Sequence, residues 1–245
     1  MGNFRDARWV KRLLTLLITL SFFTPVGLFP LTLGAGEAPT MGQNLFVGKV
    51  GPLPALLREE MRGRSWKRGC PVPLGELRVL SLSHWGQPGE VRRGRLVVHR
   101  DVGEELIDIF RDLFEAGFVV EKLGLASDFG GDDGALMGAN ITSAFNCRPS
   151  TGKKGGFSIH SYGRAIDINP KWNPYVRGKL VLPPAGREFV DRARRVPGSV
   201  QSGGPAQSAF QRRGWRWGGK WKSLKDYQHF EKRRPLRRGA GSREP

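Results

Sequence analysis

Two short clusters in the chain combine histidine with carboxylate, the side chains that hydrolytic metal sites most often use. His160 and Asp167 lie seven residues apart, and Asp226 and His229 lie three residues apart near the other end of the chain. Two imidazoles and one carboxylate leave one position open on a tetrahedral zinc ion, which is the ligand count of a catalytic site rather than a structural one. The sequence therefore predicts that the two clusters meet in space and hold a hydrolytic zinc.

Histidine is scarce in this chain, which narrows any metal hypothesis. There are four histidines, namely His84, His99, His160 and His229. We expect surface or structural roles for the first two, because one lies in a predicted turn and the other in a predicted strand with no carboxylate at a useful spacing. The metal hypothesis therefore depends on His160 and His229.

The segment that follows His160 is suited to bringing a carboxylate back to the same ion. It is rich in small residues, which let the backbone approach a metal or a substrate closely. A turn at 162–163 followed by a short alternating strand would return Asp167 towards His160. In such a strand Ile166 and Ile168 would face the core and Asp167 would face a cleft on the opposite side.

The two clusters belong to a longer pattern with a known counterpart. The pattern is Ser158-x-His160-x-x-Gly163-x-Ala165-x-Asp167, followed by Asp226-x-x-His229-Phe230. It resembles the zinc D-alanyl-D-alanine carboxypeptidases of the VanY and VanX type and the related L-alanyl-D-glutamate endopeptidases. The resemblance covers about Cys70 to Lys232. It favours the carboxypeptidase-like branch through two flanking segments, Asn169-Pro170…Asn173-Pro174-Tyr175 and Gly214-Trp215-x-Trp217-Gly218-Gly219-x-Trp221.

The resemblance implies a role for each matching residue. The implied zinc ligands are His160, Asp167 and His229. Asp226 stands where the family has its catalytic carboxylate, which takes a proton from water and delivers it to the leaving amine. Glu231 is an alternative base, because it would share the side of an extended strand with the last histidine.

Two further residues are implied at the substrate. Arg148 matches an arginine that lies near the substrate and can stabilise an oxyanion or bind a carboxylate. A surface ion pair is the alternative interpretation of Arg148. Ser158 matches a position at the substrate cleft.

The expected fold is of the α+β class, because strands and helices alternate without a regular βαβ rhythm. The resemblance implies a single domain of the hedgehog and DD-peptidase type, with a central antiparallel sheet flanked by helices. Apolar periodicity predicts strands at 77–82, 95–100, 118–125 and 165–169. It predicts helices at about 54–62, 102–116, 185–195 and 205–213. Residues 86–94 are expected to connect a hairpin, and the Gly- and Asp-rich residues 128–138 to form a loop.

The ends of the chain have a composition different from that of the predicted domain. Residues 1–36 have a basic start, an apolar middle and a small-residue exit, which predicts a signal peptide or an N-terminal membrane anchor. Residues 37–51 are interpreted as a linker, 52–232 as the zinc peptidase domain and 233–245 as a basic disordered tail. We therefore expect an exported protein that is extracellular, periplasmic or associated with the cell wall.

The chain has two cysteines, Cys70 and Cys147. Export would place them in an oxidising compartment, where a disulfide can form. Both lie in polar, loop-like contexts, which favours a disulfide over the alternative of two buried free thiols. Neither has a ligand-type neighbour at short spacing, so we do not expect them to bind the metal.

The chain is strongly basic, with 40 Lys and Arg against 22 Asp and Glu and a net charge of +18. Such a charge favours anionic surroundings. No nucleic-acid-binding motif is present, so we expect anionic cell-wall polymers or a membrane surface as partners, and no specific nucleic acid. We expect a monomer.

Three functional hypotheses follow from these features. The leading one is a zinc metallopeptidase that cleaves a D-Ala-D-Ala or an L-Ala-D-Glu bond in peptidoglycan stem peptides. A zinc-containing binding or signalling module of the same fold, without catalysis, is the alternative, because fold alone does not determine function. A basic nucleic-acid-binding protein is the third hypothesis, and the predicted export signal disfavours it.

Overall fold

The computed structural model describes residues 46–150 and 155–233 of the chain. The predicted signal segment at 1–36 and all of the tail at 233–245 except Arg233 lie outside these residues. None of the helices within the two described ranges is long and apolar enough to cross a membrane.

The described residues contain eleven strands and four α-helices. The strands are β1 Gly48–Pro52, β2 Leu77–Gln87, β3 Glu90–His99, β4 Lys122–Leu123, β5 Ile141–Thr142, β6 Ala165–Asp167, β7 Tyr175–Arg177, β8 Leu180–Leu182, β9 Arg216–Trp217, β10 Lys225–Asp226 and β11 His229–Glu231. The helices are α1 Ala55–Met61, α2 Gly103–Glu115, α3 Asp133–Gly138 and α4 Pro205–Arg212. Short 3-10 helices lie at Leu74–Glu76, Arg100–Val102, Ala126–Phe129, Ile159–Tyr162, Pro184–Phe189 and Gly218–Lys220.

Within the described ranges the strands divide among four small sheets rather than forming the single central sheet that was expected. Three sheets are antiparallel and have the strand orders β1-β2-β3, β10-β7-β8 and β6-β11-β9. The fourth is the parallel pair β4-β5. The mixture of helices with mainly antiparallel strands agrees with the expected fold class.

The main core lies between α2 and the sheets. Helix α2 has acidic residues in its first turn and buries one apolar face, as the spacing of its residues predicts. Its end is closed by Gly117, whose φ is +64°, with hydrogen bonds from Gly117 N to Phe114 O and from Phe118 N to Leu113 O. These two bonds form a Schellman motif and satisfy carbonyls that the helix itself leaves unpaired.

A second core lies beneath α1. It combines Leu57 and Met61 of α1 with Leu77 of β2 and with Phe145. The predicted disulfide is confirmed and lies beside this core, where Cys70 and Cys147 are joined with Cα atoms 6.0 Å apart. The crosslink ties the loop after α1 to the segment that enters the functional cleft.

Several elements differ from the sequence-based expectations. Strand β1 starts at Gly48, so the last residues of the expected linker belong to a sheet. Strands β2 and β3 extend into 86–94, which leaves only a tight turn in which Gly89 has a φ of +80°. Of the strand expected at 118–125, only Lys122–Leu123 joins a ladder, together with an isolated bridge between Trp85 and Val119.

Two predictions about helices were wrong. The expected loop at 128–138 contains α3, whose N-terminus is capped by the Asp132 carboxylate through bonds from Gly134 N and Ala135 N. The helix expected at 185–195 is only a 3-10 helix at Pro184–Phe189. The helix expected at 102–116 is confirmed, as is the one at 205–213 apart from its last residue.

Candidate metal centre and its cleft

The carboxylate and the second histidine of the predicted site come from two neighbouring strands. Strand β6 pairs with β11 so that Asp167 lies directly opposite His229. Directly opposed residues of an antiparallel pair extend to the same face with their Cβ atoms about 5 Å apart. The neighbouring pair, Ile166 and Phe230, faces the other way and is fully buried in the main core. The alternation predicted for this strand is thus observed, and it aims both candidate ligands at one point.

His160 reaches the same point from a 3-10 helix. The Ser158 Oγ accepts a hydrogen bond from His160 N at 3.3 Å and caps this turn. The His160 Nδ1 lies 2.6 Å from the Ala144 carbonyl oxygen, to which it donates, and in the neutral ring this leaves Nε2 with the lone pair that a metal would bind. The turn ends at Gly163, as predicted, with a φ of +63°.

The three side chains form a compact triangle. The His160 Nε2 lies 3.2 Å from the His229 Nδ1 and 3.2 Å from one oxygen of Asp167. The other oxygen of Asp167 lies 3.0 Å from the His229 Nδ1. All three residues are buried, and one ligand atom from each lies within 4.8 Å of the others.

This triangle has the dimensions that zinc requires. Zinc binds imidazole nitrogen and carboxylate oxygen at roughly 2.0 to 2.2 Å in a tetrahedron, which sets ligand atoms roughly 3.3 Å apart. Burial alone would raise the pKa of Asp167, but the charges of His160 and His229 hold it well below its usual range. Asp167 is therefore ionised, and the candidate donor set of two nitrogens and one oxygen fits a divalent zinc ion.

Glu231 contacts the side of His229 that faces away from the triangle. One of its oxygens lies 3.5 Å from the His229 Nε2, and the other accepts a hydrogen bond from the Arg233 Nε at 3.0 Å. A histidine ligand usually donates its second ring N–H to such an oxygen, which fixes the tautomer and the ring orientation. This position favours a role in holding His229 over the alternative role as the base.

Asp226 lies in β10 and lines the same cleft as the three candidate ligands. Its Oδ1 is inaccessible to solvent, and no hydrogen-bond partner for it is found within the described ranges. Burial is the main cause that raises the pKa of Asp226 to about 7, and the charge of Asp167 adds to it. The charges of His229 and His160 and a hydrogen bond from the Gln228 side chain act in the opposite direction. A half-buried aspartate with an inaccessible, unsatisfied oxygen and a raised pKa is suited to exchange protons with a ligand in the cleft.

Gly218 packs directly against Asp226. A Cβ at Gly218 would lie 2.6 Å from the Asp226 carbonyl oxygen and 2.8 Å from its Cβ. No residue with a side chain fits there unless β10 moves. The glycine at 218 in the sequence pattern therefore has a packing role directly beneath the catalytic candidate.

The cleft has a volume of about 350 Å³ and is lined by polar and aromatic side chains. Arg148 and Ser158, the two residues expected at the substrate, both line it. Arg148 also makes the ion pair that was its alternative interpretation, because its Nη2 lies 3.0 Å from a carboxylate oxygen of Asp133. Ser158 contributes to the wall while its hydroxyl caps the turn of His160.

Sequence reasoning missed a group of buried residues that hold the loop after β6. Asn169, with a φ of +43°, accepts from Glu121 N and donates to the carbonyls of Val119 and Gly198. Asn173 donates to the Ile168 carbonyl and accepts from Val200 N. These amides sit in the Asn-Pro pairs of the family pattern, which is the signal that could have identified them.

Arg192 completes this group. Its Nη2 donates to the Asn173 Oδ1 at 2.9 Å, and its Nη1 donates to the Trp172 and Phe189 carbonyls. Its guanidinium also lies 4.6 Å from the centre of the Tyr227 ring, next to Asp226 in sequence. The network therefore connects the end of β6 to the strand that carries Asp226.

The other two histidines lie outside the triangle. His84 is buried in β2, with its Nδ1 2.6 Å from the Val120 carbonyl oxygen. The buried His99 accepts a hydrogen bond from Asp101 N at 3.2 Å. Both have a structural role, as expected, and neither lies on the surface. His84 lies in a strand rather than in a turn, and the His99 Nδ1 lies 3.3 Å from a carboxylate oxygen of Asp101, a neighbour that was not expected.

The segment that carries the triangle matches a known family. Residues 151–232 match a family model described as D-alanyl-D-alanine carboxypeptidase. The resemblance drawn from the sequence pattern is confirmed over this segment, which includes the three candidate ligands and Asp226. Arg148 lies before the matched residues. The search of solved structures found no match.

Proposed function

We propose that the protein is an exported, zinc-dependent peptidase that hydrolyses an amide bond next to a D-amino acid in peptidoglycan stem peptides. The family match supports a peptidase, and the triangle of two imidazoles and one carboxylate supports zinc. The observation that carries the proposal is the buried, unsatisfied Asp226 oxygen in the cleft of that triangle. A module that only bound zinc would have no use for this costly arrangement.

The zinc would be held by His160 Nε2, His229 Nδ1 and a carboxylate oxygen of Asp167. When bound, it would supply Lewis-acid activation of the water and of the scissile carbonyl group. Ala144 and Glu231 hold the two histidine rings from behind, so the ligands are oriented before the metal enters.

Asp226 would act as the proton carrier of the reaction. It accepts a proton from the water as the new C–O bond forms on the scissile carbonyl carbon. It then delivers that proton to the amide nitrogen as the C–N bond breaks, which releases a free amine. A carboxylate in this position can hold a proton and return it within one reaction cycle, and general acid–base catalysis of this kind contributes roughly 10²- to 10⁴-fold.

The substrate would lie along the wall formed by Arg148 and Ser158. The ion pair with Asp133 fixes the Arg148 guanidinium at the cleft, where it can bind a peptide carboxylate or a developing oxyanion. The bond cleaved would be either the terminal D-Ala-D-Ala bond or the internal L-Ala-D-Glu bond. Both present an amide next to a D-residue.

Export would bring the enzyme to this substrate. The signal-like segment at 1–36 and the net charge of +18 support an enzyme that stays near anionic wall polymers or a membrane surface. Salt would weaken that association, because long-range attraction between exposed charges is screened.

The test is digestion of purified muropeptides by the zinc-loaded protein, followed by mass spectrometry. Loss of one alanine identifies the carboxypeptidase reaction, and release of the stem peptide identifies the endopeptidase reaction. Asp226→Ala should bind zinc normally but lose activity by roughly 10²-fold or more. If wild-type protein and Asp226→Ala are equally inert while both bind zinc, the protein is instead the non-catalytic module.

A further inference from the structure

A second cavity lies on the other side of the strand that carries Asp226. It has a volume of about 490 Å³, and we call it the lysine pocket. The residues that define it are Arg192, Gln201, Trp217, Lys220, Lys225 and Tyr227. It therefore lies between the loop that precedes α4 and the segment that leads to the candidate metal centre.

The lysine pocket and the catalytic cleft have different walls. Successive residues of an extended strand face opposite sides. Asp226 lines the cleft, whereas its neighbours Lys225 and Tyr227 line the lysine pocket. The two cavities are thus back to back across β10.

The charge of the lysine pocket is of one sign. Its walls include three cationic side chains, Arg192, Lys220 and Lys225, and no carboxylate from the described residues. The catalytic cleft, in contrast, is lined by four carboxylates and two arginines in addition to its histidines. A concave surface that is lined by positive charges without negative ones raises the local concentration of anions.

The three cations have no acidic partner within the part of the chain that the structure describes. Arg192 is half-buried, and its guanidinium donates to carbonyl and amide oxygens only. The Lys225 Nζ donates to the Trp221 carbonyl at 2.8 Å, and an ammonium has two further N–H groups. Lys220 is exposed, and its Nζ lies 3.4 Å from the Gln211 Oε1. The positive charge of the pocket is therefore not neutralised from within.

We propose that the lysine pocket binds a phosphate group. Its polar lining residues come from separate segments of the chain, with Ser202 in the loop before α4 and Lys220 and Lys225 in the segment that leads into β10. The oxygens of a phosphate group are arranged tetrahedrally, so donors that approach from different directions can reach them, whereas the oxygens of a carboxylate lie in one plane. Free phosphate and the phosphodiesters of an anionic polymer share this chemistry.

Phosphate binding at this pocket does not depend on peptide hydrolysis. The pocket shares no lining residue with the catalytic cleft. It does share β10 with it, so an occupant would contact the backbone that positions Asp226. An anchoring site for an anionic polymer would in this way lie directly behind the catalytic carboxylate.

The test is a titration of the full-length protein with inorganic phosphate at constant ionic strength, followed by NMR. We expect saturable shifts of the Trp217 indole N–H and of the Gln201 and Lys220 amides. Lys220→Gln should weaken phosphate binding about fivefold, as expected for the loss of one partly exposed charge. Lys220→Gln/Lys225→Gln should weaken it further, and an unchanged melting temperature would show that both variants remain folded.

Lys222→Gln is the matched control. Lys222 lies in the same loop, is exposed and does not line the pocket. This variant loses the same charge and should bind phosphate as the wild type does. Equal losses of phosphate affinity in Lys220→Gln and Lys222→Gln would mean that net charge alone causes the effect, and this would overturn the proposal. Acetate that binds as tightly as phosphate would also overturn it.

A second titration, with poly(glycerol phosphate), identifies the source of the phosphate group. Binding at least tenfold tighter per phosphate than the free ion, and lost in Lys220→Gln, assigns the pocket to a polymer. Equal affinity for both assigns it to the free ion. Shifts confined to residues of the catalytic cleft, with none at Trp217, would overturn the proposal.

Discussion

At the scale of single residues, the candidate site depends on side chains that orient its ligands as much as on the ligands themselves. Glu231 shows this most directly. It has almost no exposed surface, contacts the outer nitrogen of His229 and is itself held by Arg233. Burying a carboxylate is costly unless its partners compensate, so its position indicates a specific purpose. Orienting His229 is the purpose that the geometry supports.

Glu231→Gln tests that role. The substitution keeps the shape of the side chain but removes its charge, and losing such a partner typically weakens metal binding 10- to 100-fold. We expect the zinc dissociation constant, measured by competition with a chelator, to increase by about tenfold or more. Glu188→Gln is the control, since Glu188 is exposed and pairs only with Arg194 within the described residues. Unchanged zinc affinity in Glu231→Gln would remove Glu231 from the site.

Gly163 provides a second prediction at this scale. Its φ is +63°, and a Cβ there would lie 2.5 Å from the backbone nitrogen of His99. Gly178 has a similar φ of +57° with nothing within 4 Å of such a Cβ. Gly178→Ala should therefore cost only the left-handed strain, about 1 kcal/mol. Gly163→Ala should cost clearly more, and it should also weaken zinc binding because the turn carries His160.

Urea unfolding of the two alanine variants, each compared with the wild type, measures this difference. The two substitutions share the same chemistry and nearly the same φ. Any additional loss of stability in Gly163→Ala therefore measures the close approach of the backbones at Gly163 and His99. Equal losses of stability would mean that the turn adjusts without cost and that the contact with His99 does not matter.

At the scale of elements, helices α2 and α4 are joined at the surface by a charged cluster. The Asp112 carboxylate accepts hydrogen bonds from Arg213 at 2.6 Å and from Arg212 at 2.9 Å. Burial tends to raise the pKa of Asp112, but the bonds and charges of the two arginines outweigh it and lower the pKa below its usual value. The cluster therefore stabilises the fold only while Asp112 is ionised.

The sign of the pH dependence follows from that lowered pKa. The contribution of Asp112 is fully present above the pKa of an unfolded aspartate, about 3.9, and is lost as the pH falls through the lower folded value. Asp112→Asn should cost about 1 kcal/mol at pH 7, a modest value because the pair is partly exposed. The difference in unfolding free energy between Asp112→Asn and the wild type should shrink below about pH 4. Unfolding curves at pH 7 and pH 3 check this, and a constant difference would contradict it.

The elements that could be predicted from sequence are those whose burial is periodic. Helix α2 has apolar residues at three- and four-residue spacing and was predicted nearly to its ends. Helix α3 was missed because it is short, contains two glycines and buries only Leu136, so that it depends on the Asp132 cap. The helix expected at 185–195 is replaced by the 3-10 helix at Pro184–Phe189. A Cβ at Gly186 would lie 2.9 Å from the Pro174 Cβ, a close approach that no local pattern encodes.

The same distinction applies to the candidate site. The triangle could be predicted because histidine is scarce and because its residues follow a recognisable spacing. The Asn-Pro pairs mark Asn169 and Asn173 as part of the pattern, but their hydrogen-bond partners could not be predicted, because most of these are backbone groups of loops that are distant in sequence. Amide side chains give no periodic signal, and their function appears only when those loops meet.

At the scale of the whole molecule, one covalent link joins regions that are distant in sequence. Cys70 and Cys147 are 77 residues apart, and the loop that they close contains the β2–β3 hairpin and α2. Arg148 follows Cys147 directly and lines the cleft of the candidate metal centre. Next to the disulfide, Cys147 N donates to the Ser65 carbonyl at 2.9 Å, so backbone pairing and the disulfide anchor the same segment.

Removing this link should lower the stability of the domain substantially. In the chain-entropy model a closed loop of this length stabilises the fold by roughly 4 kcal/mol. For a domain of this size that corresponds to a fall in melting temperature of roughly 10 °C. We expect this fall for the wild type in reductant and for Cys70→Ala/Cys147→Ala without it.

The double alanine variant is also the control for the reductant, which should not change its melting temperature. Mass spectrometry of the reduced wild type shows whether the Cys70–Cys147 bond has been broken before the melting temperature is measured. A reduced wild type that melts at the same temperature as the oxidised protein would mean that the second core and the Ser65 pairing hold the segment without the bond. Because Arg148 adjoins the crosslink, reduction below the melting temperature should impair peptide hydrolysis more than zinc binding.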